Sequence, residues 1–174
     1  MRVVTVFGSS SVREGTPEWM EAYELGKEIA KAGLVLCNGG FGGTMEAACR
    51  GAKEMGGKTI GIITSFVDAD KPNPYLDEVI YVPTYLERIE RLIERGDAYV
   101  VLKGSVGTFS EFFLLWCLIY IGRVERKPVV LMGRGWRRVI GVIREEMLVT
   151  DTQFDLLSFA ETPKEAVRLI LSRL

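Results

Sequence analysis

Glu111 is the carboxylate whose position in the sequence most strongly suggests chemistry. It follows a loop of small residues in the segment VLKGSVGTFSEFF, residues 101–113, where an apolar strand pattern changes to an apolar helix pattern. The start of a helix leaves backbone N–H groups without partners and carries the positive end of the helix dipole, so it favours a bound anion. Glu111, in the first turn of this predicted helix, would lie beside a phosphate-bearing ligand. The alternative is structural, because Thr108 and Glu111 have the spacing of a capping box.

Arg88 is the candidate cation. It belongs to the segment TYLERIERLIE, residues 84–94, in which apolar side chains recur at helical spacing. Arg88 comes three residues after Tyr85 and four before Leu92, which places it at the edge of the apolar stripe. Spacing alone leaves two interpretations open, a functional guanidinium or an edge residue whose charged end reaches solvent.

Three loops of small residues follow predicted strands and are candidates for holding a phosphate. Glycine lets the backbone approach a ligand closely, and the second loop, NGGFGGT, has four glycines in seven residues. The alternative for these glycines is close packing of a helix on its strand. The loops contain neither the lysine of a P-loop nor the G-x-G-x-x-G of a dinucleotide site. The predicted binding residues are Gly8, Ser9, Ser10, Gly39, Gly40, Gly42, Gly43, Thr44, Met45, Lys103, Gly104, Ser105, Gly107 and Thr108.

The composition argues against several other chemistries. The 174 residues contain no histidine, so neither a histidine-dependent nucleophile nor a His-ligated metal can be built. Cys37, Cys49 and Cys117 share no metal-binding spacing, and we expect buried thiols and no metal site. A net charge of -1 with mixed signs predicts neither a nucleic-acid nor a membrane partner. The apolar runs are too short for a signal peptide or a membrane span, which predicts a cytoplasmic protein that acts on a small molecule.

Short β-branched segments alternate with segments of helical period along the chain. This alternation predicts an α/β fold, a Rossmann-like three-layer sandwich in which a mostly parallel sheet of about six or seven strands has helices on both faces. We expect one nucleotide-binding domain, residues 1–174. Ligands bind beyond the carboxyl ends of such strands, so the three loops should converge. The predicted strands are Val3 to Phe7, Leu34 to Cys37, Thr59 to Ile63, Glu78 to Val82, Ala98 to Leu102, Pro128 to Met132 and Leu157 to Phe159, and the predicted helices are Pro17 to Lys31, Thr44 to Met55, Thr84 to Glu94, Thr108 to Ile121, Trp136 to Met147 and Pro163 to Ser172.

Two further features depend on local sequence. The longest irregular segment, Thr64 to Asp77, is either a mobile loop near the site or a plain connection. The segment FFLLWCLIYI, residues 112–121, is apolar around its whole circumference, although a helix on one sheet face needs only one apolar stripe. The side of this helix that faces away from the sheet is therefore also apolar, which predicts that it contacts a second copy of the chain in a homodimer.

The motifs together resemble those of the LOG family, often labelled lysine decarboxylase-like, whose characterised members are nucleoside 5'-monophosphate phosphoribohydrolases. FGSS at residues 7–10 is similar to the family's GSS after the first strand, and NGGFGGTMEAACRGA at 38–52 resembles its GGGxxGLMGA segment. KGSVGTFSE at 103–111 is similar to the signature PGGxGTxxE, and YLERI at 85–89 falls where the family has MxxRK. The resemblance covers nearly the whole chain.

This resemblance implies that Glu111 and Arg88 are catalytic and that the glycine loops hold the 5'-phosphate. The implied reaction is hydrolysis of the N-glycosidic bond, which releases free base and ribose 5-phosphate without a cofactor. Dimers are typical of the family, in agreement with the apolar helix. The decarboxylase label has no support, because nothing marks a lysine for a pyridoxal phosphate Schiff base. Molybdenum-cofactor carrier proteins of the same fold also resemble this sequence, and imply the alternative of a non-catalytic carrier for a phosphate-bearing ligand.

Three positions depart from the family motifs. Lys103 stands in place of proline, Ser105 in place of glycine, and Ile89 in place of the lysine that follows the arginine. If position 105 required positive φ, a residue with a Cβ would be strained there by about 1 kcal/mol or more. Lys103 is expected to restore the missing cation from another direction.

Overall fold

The computed structural model describes residues 1–64 and 71–174, and this part of the chain contains seven strands and seven helices. Their order along the chain is β1 (Val3–Phe7), α1 (Pro17–Lys31), β2 (Val35–Asn38), α2 (Thr44–Glu54), β3 (Thr59–Thr64), β4 (Glu78–Val82), α3 (Tyr85–Arg95), β5 (Ala98–Val101), α4 (Val106–Tyr120), β6 (Val129–Met132), α5 (Arg134–Glu146), α6 (Asp151–Phe154), β7 (Leu157–Ala160) and α7 (Pro163–Leu171).

All seven strands are parallel and form one sheet in the order β4-β3-β2-β1-β5-β6-β7. The chain runs outward from β1 to β4, returns to place β5 beside β1, and then runs outward in the other direction. The loops after β1 and β5 therefore diverge at a topological switch point, where ligands bind in open parallel sheets. The predicted Rossmann-like α/β fold is confirmed. The short helix α6 was not predicted.

Side chains alternate between the two faces of the sheet and so divide the core into two layers. In β1, Val4 and Val6 face a cluster built on α1, α2 and α7, whereas Phe7 faces a cluster built on α3, α4, α5 and α6. In β5, Val100 belongs to the first of these clusters and Val101 to the second. The helix that begins after β5 therefore lies on the face opposite to α1.

The irregular segment after β3 is described only in part. Residues 65–70, in the first half of the segment that the sequence predicts to be either a mobile loop or a plain connection, lie outside the described residues. Beyond them, Asn73 Nδ2 donates to the carbonyl oxygens of Gly40 and Phe41 at 3.1 and 3.2 Å, which ties this segment to the loop after β2. No helix among residues 1–64 and 71–174 is long and apolar enough to cross a membrane.

Candidate active site

A cavity of about 220 Å³ opens at the carboxyl edge of the sheet, at the switch point. Seven segments contribute to it: the loops after β1, β2 and β5, the end of β3, and the first turns of α2, α3 and α4. The predicted convergence of the three loops is therefore seen in the fold. The lining residues are Gly8, Ser9, Ser10, Phe41, Met45, Thr64, Tyr85, Arg88, Ser105, Gly107, Thr108 and Glu111.

Arg88 and Glu111 form a buried ion pair in this cavity. Arg88 Nη1 donates to Glu111 Oε1 at 3.2 Å, and each residue is only 6% exposed. Burial raises the pKa of the Glu111 carboxyl to about 7, although the charge and hydrogen bond of Arg88 lower it in part. A carboxyl group with this pKa can accept and release a proton near neutral pH, which is the property of a general base or acid.

The guanidinium of Arg88 is held from several sides. Its Nε donates to the carbonyl oxygen of Ile62 at 2.9 Å, and its Cζ lies 5.4 Å from the centre of the Phe41 ring. Its Nη2 lies 3.9 Å from the sulfur of Met45. Arg88 is therefore not the solvent-reaching edge residue that spacing alone allowed, because its charged end points into the protein.

The capping-box interpretation of Glu111 is wrong. Helix α4 begins at Val106 with Ser105 as its N-cap, two residues earlier than predicted, so Glu111 lies in the second turn. There is no acidic residue in the first turn of α4, and Ser105 makes no side-chain capping bond. Thr108 Oγ1 is buried and has no hydrogen-bond partner among the described residues. The first turn of α4 thus contains a buried hydroxyl without a partner at a residue that lines the cavity.

The departures from the family motifs have different consequences. Ser105 adopts φ -111° and ψ -163°, which any residue can adopt, so serine causes no backbone strain there. Ile89 is 2% exposed and belongs to the core. Lys103 is not brought to the ion pair: its Nζ contacts Glu18 Oε1 at 2.6 Å, and it lines a separate depression of about 330 Å³ with Gly104. The structure does not place a second cation beside Arg88 from this position.

The glycines of the loop after β2 are not among the residues that line the cavity. Gly43 has a φ of 66° and its backbone is so close to Ser9 that a Cβ would be 2.2 Å from the Ser9 carbonyl oxygen. Thr44 donates through both its N–H and its hydroxyl to the same oxygen, at 2.9 and 3.2 Å. A Cβ on Gly8 would be 2.2 Å from Thr44 Oγ1. These contacts join the first two loops, while Phe41 and Met45 reach the cavity.

Sequence reasoning missed three lining residues, Phe41, Thr64 and Tyr85. An aromatic residue among four glycines was the available signal for Phe41. Tyr85 stands where the family motif has methionine; its hydroxyl hydrogen-bonds to Ser110 Oγ at 2.9 Å, which connects α3 to α4 at the rim. Thr64 ends a strand and carried no distinguishing signal.

Residues 1–167 match the sequence profile of the SLOG cluster4 family. The chain belongs to this family. It is 32% identical over 154 residues to the cytokinin riboside 5'-monophosphate phosphoribohydrolase of Mycobacterium tuberculosis, a match that covers 84% of this chain and 82% of that protein. It is 28% identical to the pyrimidine/purine nucleotide 5'-monophosphate nucleosidase of Escherichia coli K12, over 75% of this chain but only 31% of that longer protein.

Among solved structures, the molybdenum cofactor binding protein of Rippkaea orientalis superimposes with a TM-score of 0.77 at 26% identity. The superposition covers 98% of this chain and 96% of the other. The resemblance to the LOG family is therefore confirmed, and both kinds of relative that the sequence suggested are found.

Proposed function

We propose that this protein hydrolyses the N-glycosidic bond of a nucleoside 5'-monophosphate and releases free base and ribose 5-phosphate. The observation that carries the proposal is the buried pair of Arg88 and Glu111 at the switch point of the sheet. The names of the mycobacterial and Escherichia coli relatives support the same reaction class.

The proposed mechanism uses the ionised form of Glu111. As the bond between the sugar and the base breaks, the base leaves with the electron pair and positive charge develops on the ribose ring. The carboxylate stabilises this charge and accepts a proton from the water that attacks the anomeric carbon, and the protonated Glu111 then gives this proton up to the departing base, which restores the carboxylate. Arg88 orients the carboxylate and can stabilise negative charge on the leaving base or on the phosphate. Binding of the remote phosphate supplies energy that orients the ribose at Glu111.

We further propose that the start of α4 binds the 5'-phosphate. Thr108, whose buried hydroxyl has no partner among the described residues, lines the cavity together with Ser105, Ser9 and Ser10. Phosphate binding at such a terminus follows from its free N–H groups and its dipole.

The direct test is incubation of the purified protein with a panel of purine and pyrimidine nucleoside monophosphates and their deoxy forms, with free base and ribose 5-phosphate measured by chromatography. The Glu111→Gln variant serves as the matched control for contaminating nucleosidases. Release of base by the wild type alone supports the proposal, and release at equal rates by both proteins contradicts it.

The second candidate function is a non-catalytic carrier for a phosphate-bearing ligand such as molybdenum cofactor. It is favoured by the superposition on the Rippkaea orientalis protein over nearly the full length of both chains. Binding of a pterin monophosphate or AMP, detected by calorimetry, together with no base release from any monophosphate, would favour this alternative.

We also propose that the protein is a homodimer with α4 at its interface. The outer side of this helix exposes Phe109, Phe113, Leu114 and Tyr120, which are 36 to 50% exposed. A second copy placed there would remove this apolar surface from water.

A further inference from the structure

Gly39, the first residue after β2, lies directly against the guanidinium of Arg88. A Cβ at this position would be 1.6 Å from Arg88 Nη2 and 2.7 Å from Arg88 Cζ. Gly39 is not among the residues with positive φ, so its backbone is one that alanine can also adopt. Glycine is therefore required at this position for space and not for conformation.

The backbone around Gly39 is anchored on both sides. The side chain of Asn38 donates to the carbonyl oxygen of Met45 at 3.0 Å and accepts from the N–H of Gly40 at 2.8 Å. Asn73 holds the carbonyl oxygen of Gly40 from the other side. Asn38 and Asn73 are 0% and 6% exposed. Because the loop is fixed, a methyl group added at Gly39 would displace the ends of two flexible side chains, the Arg88 guanidinium and the Met45 sulfur, which would be 2.8 Å from it. The guanidinium would move further, because its Nη2 would be the nearer atom.

We propose that Gly39 is a positioning residue, which keeps open the space in which the Arg88 guanidinium reaches Glu111. The glycine loop after β2 then influences the ligand indirectly, because it sets the position of the Arg88 guanidinium. This inference rests on the proposed hydrolysis for its effect on turnover, whereas its effect on the ion pair is independent of that reaction.

The test is the Gly39→Ala variant, studied by turnover of AMP and by ¹³C NMR titration of the Glu111 carboxyl. Since a displacement of about 1 Å in a catalytic group can cost about 100-fold, we expect kcat to fall by about that factor with a smaller change in KM. The pKa of Glu111 should rise, because Arg88 lowers it in the wild type. Gly42→Ala is the matched control: its Cβ would be 3.8 Å from the nearest atoms, so the pKa of Glu111 should not change.

A double variant separates this role from direct ligand binding. With Arg88→Ala the guanidinium no longer lies beside Gly39, and the Met45 sulfur, 2.8 Å from the Cβ position, is the end of a flexible side chain that can move. The additional change Gly39→Ala should therefore alter neither the pKa of Glu111 nor the affinity for AMP. Equal losses of AMP affinity from Gly39→Ala with and without Arg88 would overturn the proposal, as would an unchanged pKa of Glu111 in the single variant. If Gly39→Ala alone fails to fold, folding of the double variant supports the proposal and failure of both overturns it. If the wild type releases no base, the proposed hydrolysis fails while the NMR titration still decides the role of Gly39.

Discussion

The substitution Glu111→Gln isolates the charge that the proposed reaction needs. Glutamine keeps the shape of the side chain and an oxygen that can accept from Arg88, but it cannot ionise. A carboxylate about 4 Å from a developing cation, at an effective dielectric constant of about 20, contributes about 4 kcal/mol. The amide dipole of glutamine keeps part of this stabilisation of the developing cation, so we expect kcat to fall about 100- to 1000-fold with little change in the affinity for AMP.

The pH dependence of turnover provides a second measurement on the same variant. Burial raises the pKa of Glu111 to about 7, so wild-type kcat should increase as the pH rises through that value and the carboxyl ionises. The residual activity of Glu111→Gln should lack this increase. Glu90→Gln, which removes an exposed carboxylate from α3, is the control and should behave as the wild type. Retention of turnover within about 3-fold in Glu111→Gln would refute the catalytic role.

The same pKa makes a prediction about stability. Because the pKa of Glu111 rises from an ordinary 4.5 to about 7 on folding, the folded state binds the proton more tightly than the unfolded state. The stabilisation that the Glu111 carboxyl provides through its raised pKa is therefore fully present below about pH 4.5. It is lost as the pH rises to about 7, and the free energy of unfolding falls by at most about 3 kcal/mol. Glutamine does not ionise, so the Glu111→Gln variant should not show this fall. Urea titrations at pH values across that range should show a smaller decline for Glu111→Gln than for the wild type.

Three further predictions concern other parts of the site and surface. Thr108→Val removes a hydroxyl that has no partner among the described residues, so unfolding free energy should stay equal or rise by up to about 1 kcal/mol while KM for AMP increases. Leu114→Glu, on the outer side of α4, should convert a dimer to a monomer in light scattering, whereas Leu171→Glu on α7 should not; a monomeric wild type would contradict the dimer proposal. The double variant Arg88→Met, Glu111→Leu should abolish turnover without loss of stability in denaturant titrations.

Much of the fold could be predicted because local signals agree with the overall pattern. Helix α1 has the predicted bounds, Pro17 to Lys31, since Thr16 caps its start and proline occupies its first turn. The start of α4 could not be predicted in the same way. Thr108 and Glu111 satisfied the spacing of a cap, whereas the true N-cap, Ser105, makes no side-chain bond that a sequence pattern could indicate.

The location of the candidate site could be predicted because the carboxyl ends of parallel strands lie at one edge of the sheet, but the directions of its side chains depend on tertiary contacts. Lys103 follows β5 as predicted and yet pairs with Glu18, on a helix far away in the sequence. The burial of Arg88 depends on the carbonyl oxygen of Ile62 in β3 and on Gly39 after β2. Neither partner has a spacing to Arg88 that could identify it before the fold is known.

The burial of the Arg88 and Glu111 pair is itself an argument for function. Removing two charges from water costs several kcal/mol for each ion, and their attraction often does no more than offset that cost. A protein under selection for stability alone would gain as much from two apolar side chains, which is why Arg88→Met with Glu111→Leu is expected to fold at least as well. The pair lies at the switch point of the sheet and lines the same cavity as Thr108, whose hydroxyl has no partner among the described residues. A costly pair at the carboxyl edge, where open parallel sheets in general bind their ligands, is the arrangement expected if the pair acts on a ligand as proposed.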